Sequence, residues 1–197
     1  MTLTLDTDAL ATLEPKQQLI ELVNDLAVVK GDVILSSGKH ADYYIDLRRI
    51  TLHHYASPIV GHLLLDMLEV NGFIAGDSFT AVGGLTMGAD PVACAMLHAA
   101  YSRGIDLDAF LVRKSAKQHG MQRQIEGPDI QGRSVVIVED TTTTGNSPIA
   151  AIEPARDAGA EVLACATIVD RATGAEKRIE ELGVPYLSLL RLDDLKL

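Results

Sequence analysis

Val135-Val136-Ile137-Val138-Glu139-Asp140-Thr141-Thr142-Thr143-Thr144-Gly145-Asn146-Ser147 is the stretch whose reading decides the fold. Four consecutive aliphatics, all of them β-branched, predict a strand buried on both faces. Two adjacent carboxylates stand at its carboxyl end, followed by a Thr/Gly loop, and Ser147-Pro148 opens a helix. In open α/β sheets ligands bind outside the carboxyl ends of parallel strands. Small loop residues let backbone N–H groups approach an anion, and the helix amino end adds partial positive charge. The acidic pair asks for something else beside that anion: a polyol, a metal, or developing positive charge. A phosphorylated sugar next to a cation-like reaction centre meets all of these demands.

Outward from this stretch the pattern is one of alternation. Strands are expected at 79–82, 109–112, 135–138, 162–169 and 186–190, with helices at about 57–70, 90–101, after Ser147, and at about 174–182. Such alternation means βαβ units and a central, mainly parallel sheet flanked by helices. Pro154 inside the helix after Ser147 predicts a kink or an early end. The first 50 residues or so differ. A helix over about 17–29, ended by Lys30-Gly31, precedes short strands at 32–35 and 42–47 around Ser36-Ser37-Gly38. They read as a small N-terminal hood over the α/β core, so residues 1–197 form a single domain.

Composition narrows the function classes. A chain of 197 residues with a formal net charge of −10 is poorly suited to nucleic acid or an anionic membrane surface. Any anionic substrate then needs a local basic patch working against the global field. No apolar run reaches the roughly 20 residues of a membrane span, and the amino terminus does not read as a signal peptide. Cys94 and Cys165 sit in apolar runs and read as buried free thiols, which fits a reducing cytoplasmic location.

Arg113-Lys114-Ser115-Ala116-Lys117-Gln118-His119-Gly120, extended by Arg123, is the strongest basic cluster. Almost no apolar periodicity separates Val112 from Ser134, which predicts a long loop, and loops of this length are usually functional lids or disordered segments. Arg113, Lys114, Lys117 and His119 repel one another unless an anion such as pyrophosphate draws them together. Alone, the segment reads equally well as a solvated basic loop.

The run from 135 to 147 resembles the ribose-phosphate signature of type I phosphoribosyltransferases. Arg-Lys-x-x-Lys-x-His-Gly from Arg113 to Gly120 resembles the catalytic loop of orotate phosphoribosyltransferases. Ser37-Gly38-Lys39-His40-Ala41-Asp42-Tyr43-Tyr44-Ile45-Asp46-Leu47-Arg48 is similar to that family's N-terminal signature, and Val169-Asp170-Arg171 matches a third motif. The resemblance implies the type I phosphoribosyltransferase fold. It also implies Mg²⁺-dependent transfer of 5-phosphoribosyl from phosphoribosyl pyrophosphate to orotate in pyrimidine (UMP) synthesis.

Carried over by position, the resemblance makes Lys117, His119, Glu139 and Asp140 catalytic, with Glu139 and Asp140 on the ribose hydroxyls. Arg113, Lys114, Lys117 and His119 would meet pyrophosphate. Backbone groups and hydroxyls of Thr141, Thr142, Thr143, Thr144, Gly145, Asn146 and Ser147 would cradle the 5-phosphate. Thr143 and Arg171 would contact orotate, and Tyr43 and Tyr44 would either face the base or pack within the hood. The resemblance makes Gly83-Gly84-Leu85-Thr86-Met87-Gly88 the pyrophosphate loop, with a cis peptide expected at Leu85-Thr86. Mg²⁺ would be held mainly by substrate and water, without dedicated protein ligands. A homodimer would share the lid across its interface, Arg113, Lys117 and His119 serving the neighbouring site and Lys114 its own. Two lysines common in the family are Ser36 and Met87 here. A purine phosphoribosyltransferase would share the ribose-phosphate run without the other two signatures. A phosphoribosyl pyrophosphate-sensing regulator would need a nucleic-acid surface that this acidic chain does not suggest.

Overall fold

The computed structural model describes residues 7–34, 40–115 and 124–197, excluding the side chains of residues 32–34, 40 and 41. Lys39, Lys117, His119 and Arg123 lie outside the described residues. The decisive stretch forms β6 (Ser134–Thr142), and α6 (Asn146–Asp157) follows it. Val135 and Ile137 bury on one face of β6, Val136 and Val138 on the other. That is the two-sided burial which four consecutive aliphatics predict.

β6 lies in a six-stranded sheet ordered β5-β4-β3-β6-β7-β8. The partners are β3 (Ala81–Leu85), β4 (Asp108–Val112), β5 (Ile125–Glu126), β7 (Glu161–Asp170) and β8 (Tyr186–Arg191). All neighbouring pairs are parallel except β4 with β5. α4 (Ala56–Val70) and α5 (Ala89–Ser102) cover one face together with the amino-terminal helix α2 (Pro15–Leu22). α6 and α7 (Ala175–Glu180) cover the other. The chain leaves β3 towards β4 but returns to place β6 on the opposite side of β3. The loops after β3 and β6 therefore diverge at a switch point, where the sheet opens a crevice. Gly84 lets the layers close there: a Cβ would stand 2.2 Å from the Val138 carbonyl oxygen and 2.6 Å from the Ala89 Cβ.

The hood is a hairpin of β1 (Val28–Ile34) and β2 (His40–Ile45), followed by the one-turn helix α3 (Arg48–Thr51). Here the structure corrects the sequence expectation. α2 passes into a π-helical turn at Val23–Ala27, and β1 starts at Val28, so Lys30-Gly31 lies inside a strand. A register shift between Lys30 and Val33 absorbs the glycine. Pro154 does not end α6, which continues to Asp157. The expected long loop contains β5, whose two residues pair with Leu111 and Val112. Cys165 is buried, but Cys94 is exposed because it lies on the solvent side of α5, opposite Val92, Met96 and Ala99. Among the described residues no helix is long and apolar enough to cross a membrane.

Candidate active site

A cavity of about 520 Å³ opens at the switch point. Its walls come from the end of the hood hairpin (Tyr44 to Arg48), the loop after β3 (Leu85 to Gly88), the acidic end of β6, and Lys114, Ser147 and Arg171. Five segments distant in sequence thus meet where the sheet topology sends their loops apart.

The acidic pair is held by its own backbone. Glu139 Oε1 accepts the Asp140 N–H at 3.1 Å, and Asp140 Oδ1 accepts the Thr141 N–H at 2.6 Å. Gly88 makes room for them, since a Cβ there would stand 2.2 Å from Glu139 Oε1 and 3.1 Å from Asp140 Oδ1. Burial, and then the charge of Asp140, push the Glu139 carboxyl up to about 9. Burial also raises Asp140, against the opposing pull of its hydrogen bonds and of Arg48. Asp90, at the start of α5, has a buried Oδ1 without a hydrogen-bond partner and is raised by burial too.

This burial has a measurable consequence. The folded free protein keeps a proton on Glu139 that the unfolded chain releases above about 4.5. Stability therefore falls as pH rises through the window from about 4.5 to about 9. Each pH unit within it costs up to about 1.4 kcal/mol. Glu139→Gln keeps the acceptor but has no proton to lose, so its advantage in melting temperature over wild type should grow from pH 5 to pH 8.5. An equal difference at both pH values would rule out this titration.

The loop after β6 is an open row of donors. Among the described residues, no protein acceptor pairs with the backbone N–H groups of residues 143–147. Gly145 caps α6 with φ of 77°, a left-handed conformation that glycine adopts at little cost. Arg178 on α7 braces the loop, donating to the Thr144 carbonyl and, at 2.7 Å, to Asn146 Oδ1. The hydroxyls divide. Thr142 is buried, its Oγ1 bonded to Tyr186 and 3.3 Å from Asp170 Oδ1, so that hydroxyl is a core contact and not part of an anion cradle. Thr141 Oγ1 is buried and has no hydrogen-bond partner among the described residues. Ser147 reaches the cavity wall, whereas Thr143, Thr144 and Asn146 are exposed outside it.

Arg171 leaves β7 beside this loop, its N–H bonded to the Thr142 carbonyl at 2.9 Å. Asp170 fixes the turn by accepting the Ala172 N–H, and Ala172 takes a positive φ of 52°. The Arg171 guanidinium lies 5.9 Å from the Tyr43 ring centroid, within cation–π range. Tyr43 packs against the core, while Tyr44 lines the cavity. Lys114 lines the cavity as well, but Arg113 turns away to Glu126 on β5 at 3.6 Å. The cis peptide is Thr86-Met87, one residue beyond the expected Leu85-Thr86. Sequence reasoning missed Asp46, Arg48, Asp170 and Arg178. Asp46 and Arg48 carried a signal as the end of the N-terminal motif and Asp170 as part of the third motif, while Arg178 carried none.

A family model of the phosphoribosyl transferase domain matches residues 60–182. An orotate phosphoribosyltransferase of Streptomyces coelicolor is 60% identical over 181 residues, covering 91% of this chain and 96% of that protein. The chain belongs to the orotate phosphoribosyltransferase family. Among solved structures, the Mycobacterium tuberculosis H37Rv enzyme in complex with Fe(III) dicitrate aligns with a TM-score of 0.82 at 53% identity, over 93% of this chain and 100% of that one. The same organism's enzyme in complex with 5-phospho-α-D-ribosyl 1-diphosphate aligns with a TM-score of 0.78 at 47% identity, again over 93% and 100%. In this orotate phosphoribosyltransferase family member the acidic pair ends β6 and the open N–H row follows it directly.

Proposed function

We infer that this chain transfers the 5-phosphoribosyl group of phosphoribosyl pyrophosphate to orotate, giving orotidine 5-monophosphate and pyrophosphate. The observation that carries this is the end of β6 and the loop after it, where buried Glu139 and half-buried Asp140 stand beside backbone donors that have no protein acceptor among the described residues. Such a loop suits a sugar bearing hydroxyls and a 5-phosphate. Asp140 and Glu139 take the ribose hydroxyls, and the N–H groups of residues 143–147 with the Ser147 hydroxyl take the 5-phosphate. Arg171 faces the orotate carboxylate with its fork of donors, and Tyr44 flanks the base. Thr143 keeps a backbone role only.

The reaction forms a bond from an orotate ring nitrogen to the anomeric carbon as the bond from that carbon to pyrophosphate oxygen breaks. The nitrogen's proton leaves to solvent, and the bonding pair departs with pyrophosphate. Positive charge grows at the anomeric carbon and negative charge on the leaving group, so positioning and electrostatics dominate. Asp140 stabilises the former. Lys114 of the same chain, with Lys117 and His119 from the lid, stabilises the latter and keeps water out.

The donors beside the cavity are carboxylate oxygens, and among the described residues no group of three or more His, Cys, Asp or Glu is arranged to hold a metal. That set fits Mg²⁺ carried in by phosphate oxygens and water, with the acidic pair nearby to accept from its waters. When bound, Mg²⁺ neutralises charge on the pyrophosphate. We further propose that the chain works as one domain in a homodimer. Within one protomer Lys114 faces the cavity and Arg113 faces outward, which supports a lid that serves both sites.

The test is pyrophosphate release from phosphoribosyl pyrophosphate and Mg²⁺, with orotate, hypoxanthine, xanthine, adenine and uracil offered separately. Turnover should be confined to orotate. Faster release with a purine would overturn the assignment.

A further inference from the structure

The cavity has a shortage of cations on one wall. The end of β3 and the loop after it contribute Leu85, Thr86, Met87 and Gly88, of which Met87 is 69% exposed, and none of these carries charge. Asp46, Glu139 and Asp140 add carboxylates to the lining. A diphosphate group entering such a space needs neighbouring positive charge, and the described lining offers Lys114, Arg171 and Arg48. Arg171 is committed to the far side, over the Tyr43 ring.

Arg48 is placed for the uncharged wall. It opens α3, and α3 packs against both α4 and α5, whose first residue follows directly on the loop after β3. Its guanidinium is oriented by Asp46, which accepts from Arg48 Nε at 2.9 Å and from the Arg48 backbone N–H at 3.3 Å. Asp46 is itself tied to the hood, its N–H bonded to the Ala27 carbonyl at 3.0 Å. Among the described residues, no protein acceptor pairs with either terminal guanidinium nitrogen of Arg48. A planar fork held at one end and open at the other suits two phosphate oxygens.

We propose that Arg48, oriented by Asp46, binds the diphosphate end of phosphoribosyl pyrophosphate and the product pyrophosphate, supplying the positive charge that the wall at Met87 lacks. This rests on the reaction inferred above for its substrate, but not on which base accepts the sugar. Because the contact is to the departing group, Arg48 strengthens its hold as negative charge accumulates there.

The test is calorimetric binding of pyrophosphate with Mg²⁺, together with steady-state KM and kcat, on Arg48→Ala, Arg48→Lys and Arg48→Ala combined with Met87→Lys. Arg48→Ala should weaken pyrophosphate and raise the KM for phosphoribosyl pyrophosphate by about tenfold to a hundredfold. Orotidine 5-monophosphate binding and the melting temperature should stay close to wild type. Arg48→Lys should recover part of the loss, and Met87→Lys should recover part of it from the loop after β3. Unchanged pyrophosphate affinity in Arg48→Ala would overturn the proposal. So would an equal loss for pyrophosphate and the nucleotide with a lowered melting temperature, which would make Arg48 a brace of the hood. If wild type transferred the sugar to another base, the assigned reaction would fail, while the pyrophosphate arm would still decide the role of Arg48.

Discussion

Asp140→Asn should lower turnover by roughly a hundredfold or more, while the melting temperature of the free protein stays level or rises. The two halves of this result have separate causes. In catalysis, a fixed negative charge beside an anomeric carbon that turns positive is most useful in the transition state, so its removal lowers kcat and kcat/KM together. In folding, the same charge is a burden. Asp140 is raised by burial beside the protonated Glu139, so neutralising it relieves the desolvation of its charge. Asn keeps an oxygen for the Thr141 N–H that Asp140 now accepts at 2.6 Å. Circular-dichroism melting and single-turnover kinetics on one preparation separate the two. A variant that melts far lower, with turnover intact in the folded fraction, would mark the pair as structural.

What the sequence could reveal follows from how local each feature is. β6 and the helix after it were legible because burial on both faces requires an unbroken apolar run, and the ensuing loop must change composition at once. The parallel core was legible for the same reason, element by element. β5 was not, because two residues cannot display a period; its pairing with Leu111 and Val112 is visible only in three dimensions. The start of β1 was hidden by the π-turn, which carries a helical apolar pattern up to the first strand residue. In the site, the loop chemistry was readable from residue types. What escaped was orientation: Thr142 looks like its neighbours in the threonine run, yet its hydroxyl turns to Tyr186. In the sequence Arg48 and Asp46 are only a motif's end, because nothing in a hood sequence says which crevice it folds over.

Mixing two nearly inactive variants tests the shared lid. On the proposed assignment, Lys117→Ala removes a lid cation and Asp140→Asn removes the acidic partner at the ribose. If the lid crosses a two-fold interface, each site combines the lid of one chain with the acidic pair of the other. An isologous interface gives both chains the same view of their partner, so a heterodimer has one site with both lesions and one with neither. Free subunit exchange gives about half heterodimers, so activity should recover to roughly a quarter of wild type if sites act independently. The geometry of the lid's root favours this outcome. Arg113 and Lys114 are adjacent, yet one reaches Glu126 at the sheet edge and the other lines its own cavity. The Arg113 N–H pairs with the Gln124 carbonyl at 2.8 Å and ties the two ends of the segment 113–124 together at its root. Exchange is verified by native mass spectrometry with one variant isotopically labelled. No recovery after verified exchange would place the lid over its own chain's site and exclude the shared arrangement.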